Sequence, residues 1–156
     1  MQIRIVHGAA SAPTEMSSYD AALADANVHD YNLVSVSSVV PADASVEVVD
    51  TAPDLGPVGY GLTVVQARAT SADDPVSAAL AWVRSEEGPG LFYEAAGAES
   101  PERARERAER GLEAGKELRE WTFGETESVV REATPREDEF ATAVALAVYG
   151  RGRPLW

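Results

Sequence analysis

Ser37 and Ser38 stand side by side in the stretch Asn32 to Pro41, and they are the first place to look for a nucleophile. An aliphatic hydroxyl attacks poorly unless a base takes its proton or the carbonyl beside it is strained or polarised. The two histidines, His7 and His29, lie in segments with no obvious orienting acid, which argues against a serine hydrolase. Cysteine is absent, so disulfides, thiolate zinc sites and cysteine nucleophiles are excluded. The single lysine, Lys116, reads as lying on the exposed side of a long helix. Gly56, Gly59 and Gly61 precede a strand, have no lysine after them and fit neither glycine-rich phosphate fingerprint. Two carboxylates stand out. Glu94 follows Leu91, Phe92 and Tyr93, an apolar setting that raises a carboxyl pKa. Asp20 falls in the first turn expected for a helix, where a negative charge suits the dipole.

The elements that must position these groups follow from pattern. Asn32 to Val40 reads as one strand, with Val34, Val36, Val39 and Val40 supplying β-branched bulk, and Pro41 ending it. On a straight strand Asn32 and Ser38 share a face but lie ~20 Å apart. Ile3 to Val6 is a first strand ended by Gly8, and Ser17 or Ser18 caps a helix from Tyr19 to Ala26. His29 and Asp30 sit in the following turn. Further strands are expected at Ser45 to Val49, Leu62 to Ala69 and Leu91 to Glu94, with a turn at Gly88-Pro89-Gly90, while Val76 to Trp82 has both the alternation of a strand and, with Pro75 and its alanines, the marks of a helix. Glu99 to Trp121 is the clearest helix, with Ser100 as cap, Pro101 at the first helical position and an apolar face of Ala104, Ala108, Leu112, Gly115 and Leu118. Gly111 and Gly115 within it point to close packing on a sheet. Strands at Glu127 to Ala133 and Glu139 to Tyr149 complete the list, and Leu155-Trp156 either docks or frays. About seven strands and two helices, not alternating strictly, predict an α+β layered fold.

Composition sets the limits. With 156 residues and 45% apolar content, one domain spanning 1–156 has enough material for a core. The balance of 26 acidic against 13 basic residues, a net charge of −13, leaves no basic patch for phosphates, so no nucleic-acid partner is expected. Only Lys116 among the basic residues is not arginine, a surface suited to a salt-rich cytoplasm. At ~1 M salt the Debye length is ~3 Å, so this charge serves solubility and not substrate steering. No run approaches a membrane span and the N-terminus is too quickly polar for a signal peptide, so a cytoplasmic protein without a membrane partner is expected.

Several stretches, taken in order, resemble the pyruvoyl-dependent arginine decarboxylases: Tyr19-Asp20-Ala21-Ala22-Leu23, Asn32-Leu33, Ser37-Ser38, Pro75 to Leu80, and Gly90 to Gly97 with Glu94 inside it. Members of that family are made as proenzymes and cut themselves between adjacent serines. The resemblance implies a strand and not a helix at Val76 to Trp82, a sandwich of two mainly antiparallel sheets with helices outside, trimers with the site between neighbouring subunits, and cleavage into 1–37 and 38–156. It also implies the route. Ser38 Oγ attacks the Ser37 carbonyl, elimination frees Ser37 as a new C-terminus, and the residue left at 38 loses ammonia to become a pyruvoyl group. That group, the covalent cofactor, supplies the electron sink that decarboxylation needs, without a lysine or a phosphate pocket.

Carried over residue by residue, the resemblance makes Ser38 the pyruvoyl precursor, Glu94 the proton donor, and Asn32 the residue that polarises the processing site. Asn32 reaches that site only if the strand bends or a neighbouring subunit supplies it. Asp20 is implied to hold the guanidinium of arginine, with Met16 and Val39 completing the pocket. The family has an aromatic and a polar residue where this chain has Ala95-Ala96, a departure in the pocket wall. The other reading of such a chain is a self-processing relative that takes another basic amino acid or serves as a non-catalytic subunit.

Overall fold

A computed structural model describes residues 1–156. Strands β1 (Gln2–Ala12), β2 (Asn32–Ser35), β3 (Val39–Val40), β4 (Ser45–Asp50), β5 (Gly61–Ser71), β6 (Val76–Arg84), β7 (Gly90–Gly97), β8 (Glu127–Ala133) and β9 (Phe140–Arg153) are joined by helices α1 (Glu15–Asp25) and α2 (Pro101–Lys116). They form a five-stranded sheet in the order β2-β5-β9-β1-β4 and a four-stranded sheet in the order β3-β7-β6-β8. Pairing is antiparallel except for β1 with β4 and β2 with β5.

Alternation along the central strands generates the layers. Ile3, Ile5, Val65, Ala67 and the alanines 141, 143, 145 and 147 meet Val76, Ala78, Leu80, Trp82 and Phe92 between the sheets. The opposite faces take one helix each: Val64, Val144, Leu146 and Val148 pack on Ala22, Leu23 and Ala26 of α1, while Ala79, Ala81, Val83 and Leu91 pack on Ala104, Ala108 and Leu112 of α2. The result is the αββα sandwich of the expected α+β class. β6 is buried on both faces, so it carries a nearly continuous apolar run without a polar side.

Several local expectations are corrected. Gly8 does not end the first strand. β1 continues to Ala12, paired with β9 throughout. Gly8 is where α1 lies against the strand: a Cβ there would overlap the Ala22 carbonyl and come within 3.1 Å of Ala26 N. α1 begins earlier than expected, at a capping box in which Thr14 Oγ1 accepts from Ser17 N and Ser17 Oγ accepts from Thr14 N, each at 3.0 Å. Ser18 is buried, bonded to Thr142 at 2.7 Å. Asp20 therefore lies in the second turn, and Glu15 is the acidic residue of the first.

α2 is capped by Ser100 as expected but ends at Lys116, where Arg119 Nη1 takes the Gly115 carbonyl at 2.9 Å. Leu118 consequently leaves the apolar face and is 78% exposed. Lys116 is not on the open side either; its side chain is 17% exposed and donates to Glu113 and Thr126. The close packing foreseen from Gly111 and Gly115 is present, with the Tyr93 ring lying directly against both. At the C-terminus Leu155 docks on Gly61, while Trp156 is fully exposed.

Candidate active site

The largest correction concerns Asn32 to Val40, which is not one strand. β2 runs beside β5, and Val36 N still donates to Val64 O at 2.9 Å. Then the chain leaves that sheet and β3 joins the other, with Val39 opposite Leu91 and Val40 opposite Gly90. Ser37 and Ser38 lie in the crossing between the two sheets. Nothing in the valine pattern marks the break, because both sheets offer an edge to the same residues.

Both flanks of the crossing are held. Ser38 O accepts from Phe92 N at 2.7 Å, and Val39 O accepts from the Tyr149 hydroxyl at 3.0 Å. Tyr149 packs edge-on against Phe92 with centroids 6.1 Å apart, and burial pushes its phenol up to about 12, so it stays a donor across the neutral range. Sequence reasoning missed Tyr149, which comes from a distant strand of the opposite sheet. Glu94 lies on β7 two positions past Phe92, on the same side of the strand. Because β3 and β7 are antiparallel, that places Glu94 toward the Ser37 end of the crossing. Glu94 is exposed on the isolated chain, yet neighbouring atoms desolvate its carboxyl enough to raise the pKa, against the smaller opposing effect of its own backbone N–H.

A second group of site candidates assembles on the α1 side of the five-stranded sheet. Met16, Asp20 and Asn32 line one cavity of about 510 Å³ together with Tyr19, Leu23, His29, Tyr31 and Leu33. The cavity is open, and Met16 is 69% exposed at its rim. Tyr19 is fixed by its hydroxyl donating to Gln66 at 2.7 Å and by Arg68 stacked 4.0 Å over its ring. Tyr31 is fixed by donating to Gly56 O and accepting from Leu55 N, both at 3.0 Å. Asn32 Nδ2 donates to Gly59 O at 2.8 Å, so its amide is oriented within this cavity. No lining residue of the cavity is Ser38, Val39 or Glu94. The break supplies the bend that Asn32 required, yet within one chain its side chain serves the cavity and not the serine pair.

His7 does have an orienting acid after all: its Nε2 lies 2.9 Å from Asp50 Oδ1. Its other nitrogen, however, faces Arg131 Nη1 at 2.9 Å, and Arg131 also reaches Asp25. The ring is a bridge between the sheets with no hydroxyl to activate. His29 is a turn residue as expected, 3.8 Å from Asp30, but its ring also borders the cavity. No group of metal-ligating side chains occurs, and no helix is long and apolar enough to cross a membrane.

Comparison with known proteins meets this geometry from the other side. Residues 2–154 match the family model of the pyruvoyl-dependent arginine decarboxylases. A protein of that name from Halobacterium salinarum is 51% identical over 99% of this chain and 98% of its own length. One from Methanopyrus kandleri is 34% identical over 93% of each chain, and one from Pyrococcus horikoshii 36% identical over 90% of each. With a match this long, and with the serine pair set between two sheets beside a carboxyl of raised pKa, the chain belongs to the pyruvoyl-dependent arginine decarboxylase family.

Proposed function

We propose that this chain cuts itself between Ser37 and Ser38 and then decarboxylates L-arginine to agmatine and carbon dioxide. The observation that carries the reading is the separation of two half-sites on one protomer. One holds the serine pair and Glu94; the other is a cavity with an acidic residue, Asp20, beside the apolar Met16 and Leu23. Arginine needs both: an acceptor for its guanidinium and a reactive centre at its α-carbon. A planar guanidinium presents parallel N–H donors that a carboxylate takes bidentately.

Self-cleavage needs only the chain's own atoms and one water, and it releases one ammonia. Ser38 Oγ bonds to the Ser37 carbonyl carbon as the Ser38 nitrogen leaves it, giving an ester. Loss of the Ser38 α-proton and of the Ser37 carboxylate breaks that ester and leaves a dehydroalanine. One water then replaces its nitrogen, which departs as ammonia. The donor set fits a pyruvoyl group at position 38, since the adjacent carbonyls of Ser38 and Val39 are already fixed by Phe92 N–H and Tyr149. Bound there, the group supplies an electron sink for the departing carboxylate's electrons.

The remaining tasks fall to side chains. Glu94, whose carboxyl pKa is raised by desolvation, returns a proton to the substrate α-carbon after carbon dioxide leaves. Asp20 fixes the guanidinium, Met16 and Val39 cover the methylene chain, and Asn32 orients polar atoms between them. The half-sites are complementary across an interface between copies, and a homotrimer closes three such sites. Val34, Val36 and Val39 support this, since all are exposed on the isolated chain around the crossing. The test is intact-mass spectrometry followed by measurement of carbon dioxide from arginine, lysine and ornithine. Fragments 1–37 and 38–156, the latter blocked by pyruvoyl, with release from arginine alone, are expected. A free amine on Ser38 would show ordinary proteolysis, and cut protein without carbon dioxide would show a non-catalytic subunit.

A further inference from the structure

The segment just past the serine pair is gripped by a residue that the chemistry above does not use. Arg84, the last residue of β6, points its guanidinium into the turn that follows β3. Nη1 donates to Ala44 O at 2.6 Å, and Nη2 to Ala42 O at 3.2 Å and Pro41 O at 3.5 Å. Nε and Nη2 also take Gly88 O at 3.2 and 2.9 Å. All of these acceptors are main-chain carbonyls, so the charge is used to gather backbone and not to pair with a carboxylate.

The turn between β6 and β7 backs the same segment. Gly88 has φ +109, and a Cβ on it would stand 2.8 Å from Ala42 Cβ. Ser85 holds the turn shut through Oγ and N, both donating to Pro89 O, at 2.6 and 2.9 Å. Upstream of the serine pair the chain is fixed to the five-stranded sheet at Val36; downstream it is fixed to the four-stranded sheet at Ser38, Val39 and Val40, and behind those by Arg84. Ser37 and its peptide to Ser38 are the only span between the two anchorages. An intramolecular attack depends on how nearly the reacting atoms are held in line, and a displacement of about 1 Å can cost ~100-fold.

We propose that Arg84 is a positioning residue for self-cleavage, fixing the downstream anchorage of the scissile peptide through the Pro41, Ala42 and Ala44 carbonyls. The proposal rests on the reading that the chain cuts itself at Ser37-Ser38. After cleavage no bond joins the two anchorages, and Ser38 and Val39 are still held directly by Phe92 N–H and the Tyr149 hydroxyl, so the cut enzyme no longer depends on how tightly Arg84 holds the turn beyond them.

The experiment is pulse-labelled cell-free synthesis of the full chain in high salt. The uncut fraction is followed with time on denaturing gels, and kcat/KM is measured on the cut fraction. Arg84→Met keeps the aliphatic stem and removes the donors; it is expected to slow cutting about tenfold or more, with kcat/KM of the cut fraction within about twofold of the parent. Arg84→Lys, which keeps one cation, is expected to recover part of the rate. Gly88→Ala leaves Arg84 intact but presses on Ala42, and it is expected to slow cutting as well. It and the lysine variant decide the matter should the methionine variant not fold. Cutting by Arg84→Met at the parent rate, or parent-rate cutting by both Arg84→Lys and Gly88→Ala where the methionine variant does not fold, overturns the proposal. A parent chain that yields no fragments overturns instead the self-cleavage on which it rests.

Discussion

The centre of the five-stranded sheet and the two edge strands that flank the serine pair, one in each sheet, are built on opposite principles. β9 pairs with β5 on one side and β1 on the other over nearly its whole length, and Ala141 through Val148 are buried without exception. β2 and β3 by contrast have four and two residues, and Val34, Val36 and Val39 stand exposed. The small side chains of the centre are fully buried between the facing sheet and α1. The cleavage proposed at Ser37-Ser38 falls between these exposed edge strands, away from the buried residues of β9.

That contrast can be tested in descending order of effect. Ser38→Ala removes the attacking hydroxyl; complete loss of cutting and of carbon dioxide release is expected, with an unchanged circular dichroism spectrum. A spectrum that collapses would show the edge to be structural. Leu146→Ala, at the opposite pole, leaves a cavity beside α1 and is expected to cost about 2–5 kcal/mol in denaturant unfolding while cutting still occurs.

Glu94→Gln is expected to cut normally and lose about 100-fold in kcat, the scale for removing a general acid. The parent's pH profile supplies the sign. Desolvation raises the Glu94 pKa above 4.5, so the donor is protonated below that raised value. The kcat therefore falls as pH rises through it, and the glutamine variant lacks this limb. Asp20→Asn keeps the shape of the cavity and is expected to raise the arginine KM about tenfold or more with cutting unaffected, since a charge-assisted pair becomes a neutral one. The smallest effect belongs to Val36→Ala, expected to shift unfolding of the uncut chain by no more than about 0.5 kcal/mol. A larger loss would mean that the edge is more than a place to cut.

How far the sequence revealed this depends on the range of the forces involved. Ser100-Pro101 and the alternation of Leu62 through Ala69 are local signals, and both are where they were expected. Gly8 misled because a glycine permits either a turn or close approach, and only the position of α1 distinguishes them. Thr14 was passed over because Ser17, which completes its capping box, looked like a cap itself. The division of Asn32 to Val40 between two sheets is a tertiary outcome, as are Tyr149 on Val39 and Asp50 on His7. For the site, the serine pair, Glu94 and Asp20 were readable only through their surroundings in sequence. That Met16, Asp20 and Asn32 share a cavity away from the serines was not readable at all.

The strand order has one more implication. β1 lies between β9 and β4, while β2 sits alone at the far edge beside β5, so residues 1–37 are threaded into the sheet from two places. The proposed cleavage at Ser37-Ser38 would make the protein a complex of two polypeptides that were never separate folding units. Its unfolding then becomes a dissociation governed by mass action. Dilution of the cut form favours loss of the 1–37 fragment, a dissociation that no uncut chain can undergo. Separated fragments would face a search that the intact chain performs within a single molecule, so the weave of the sheet requires the proposed scission to follow folding.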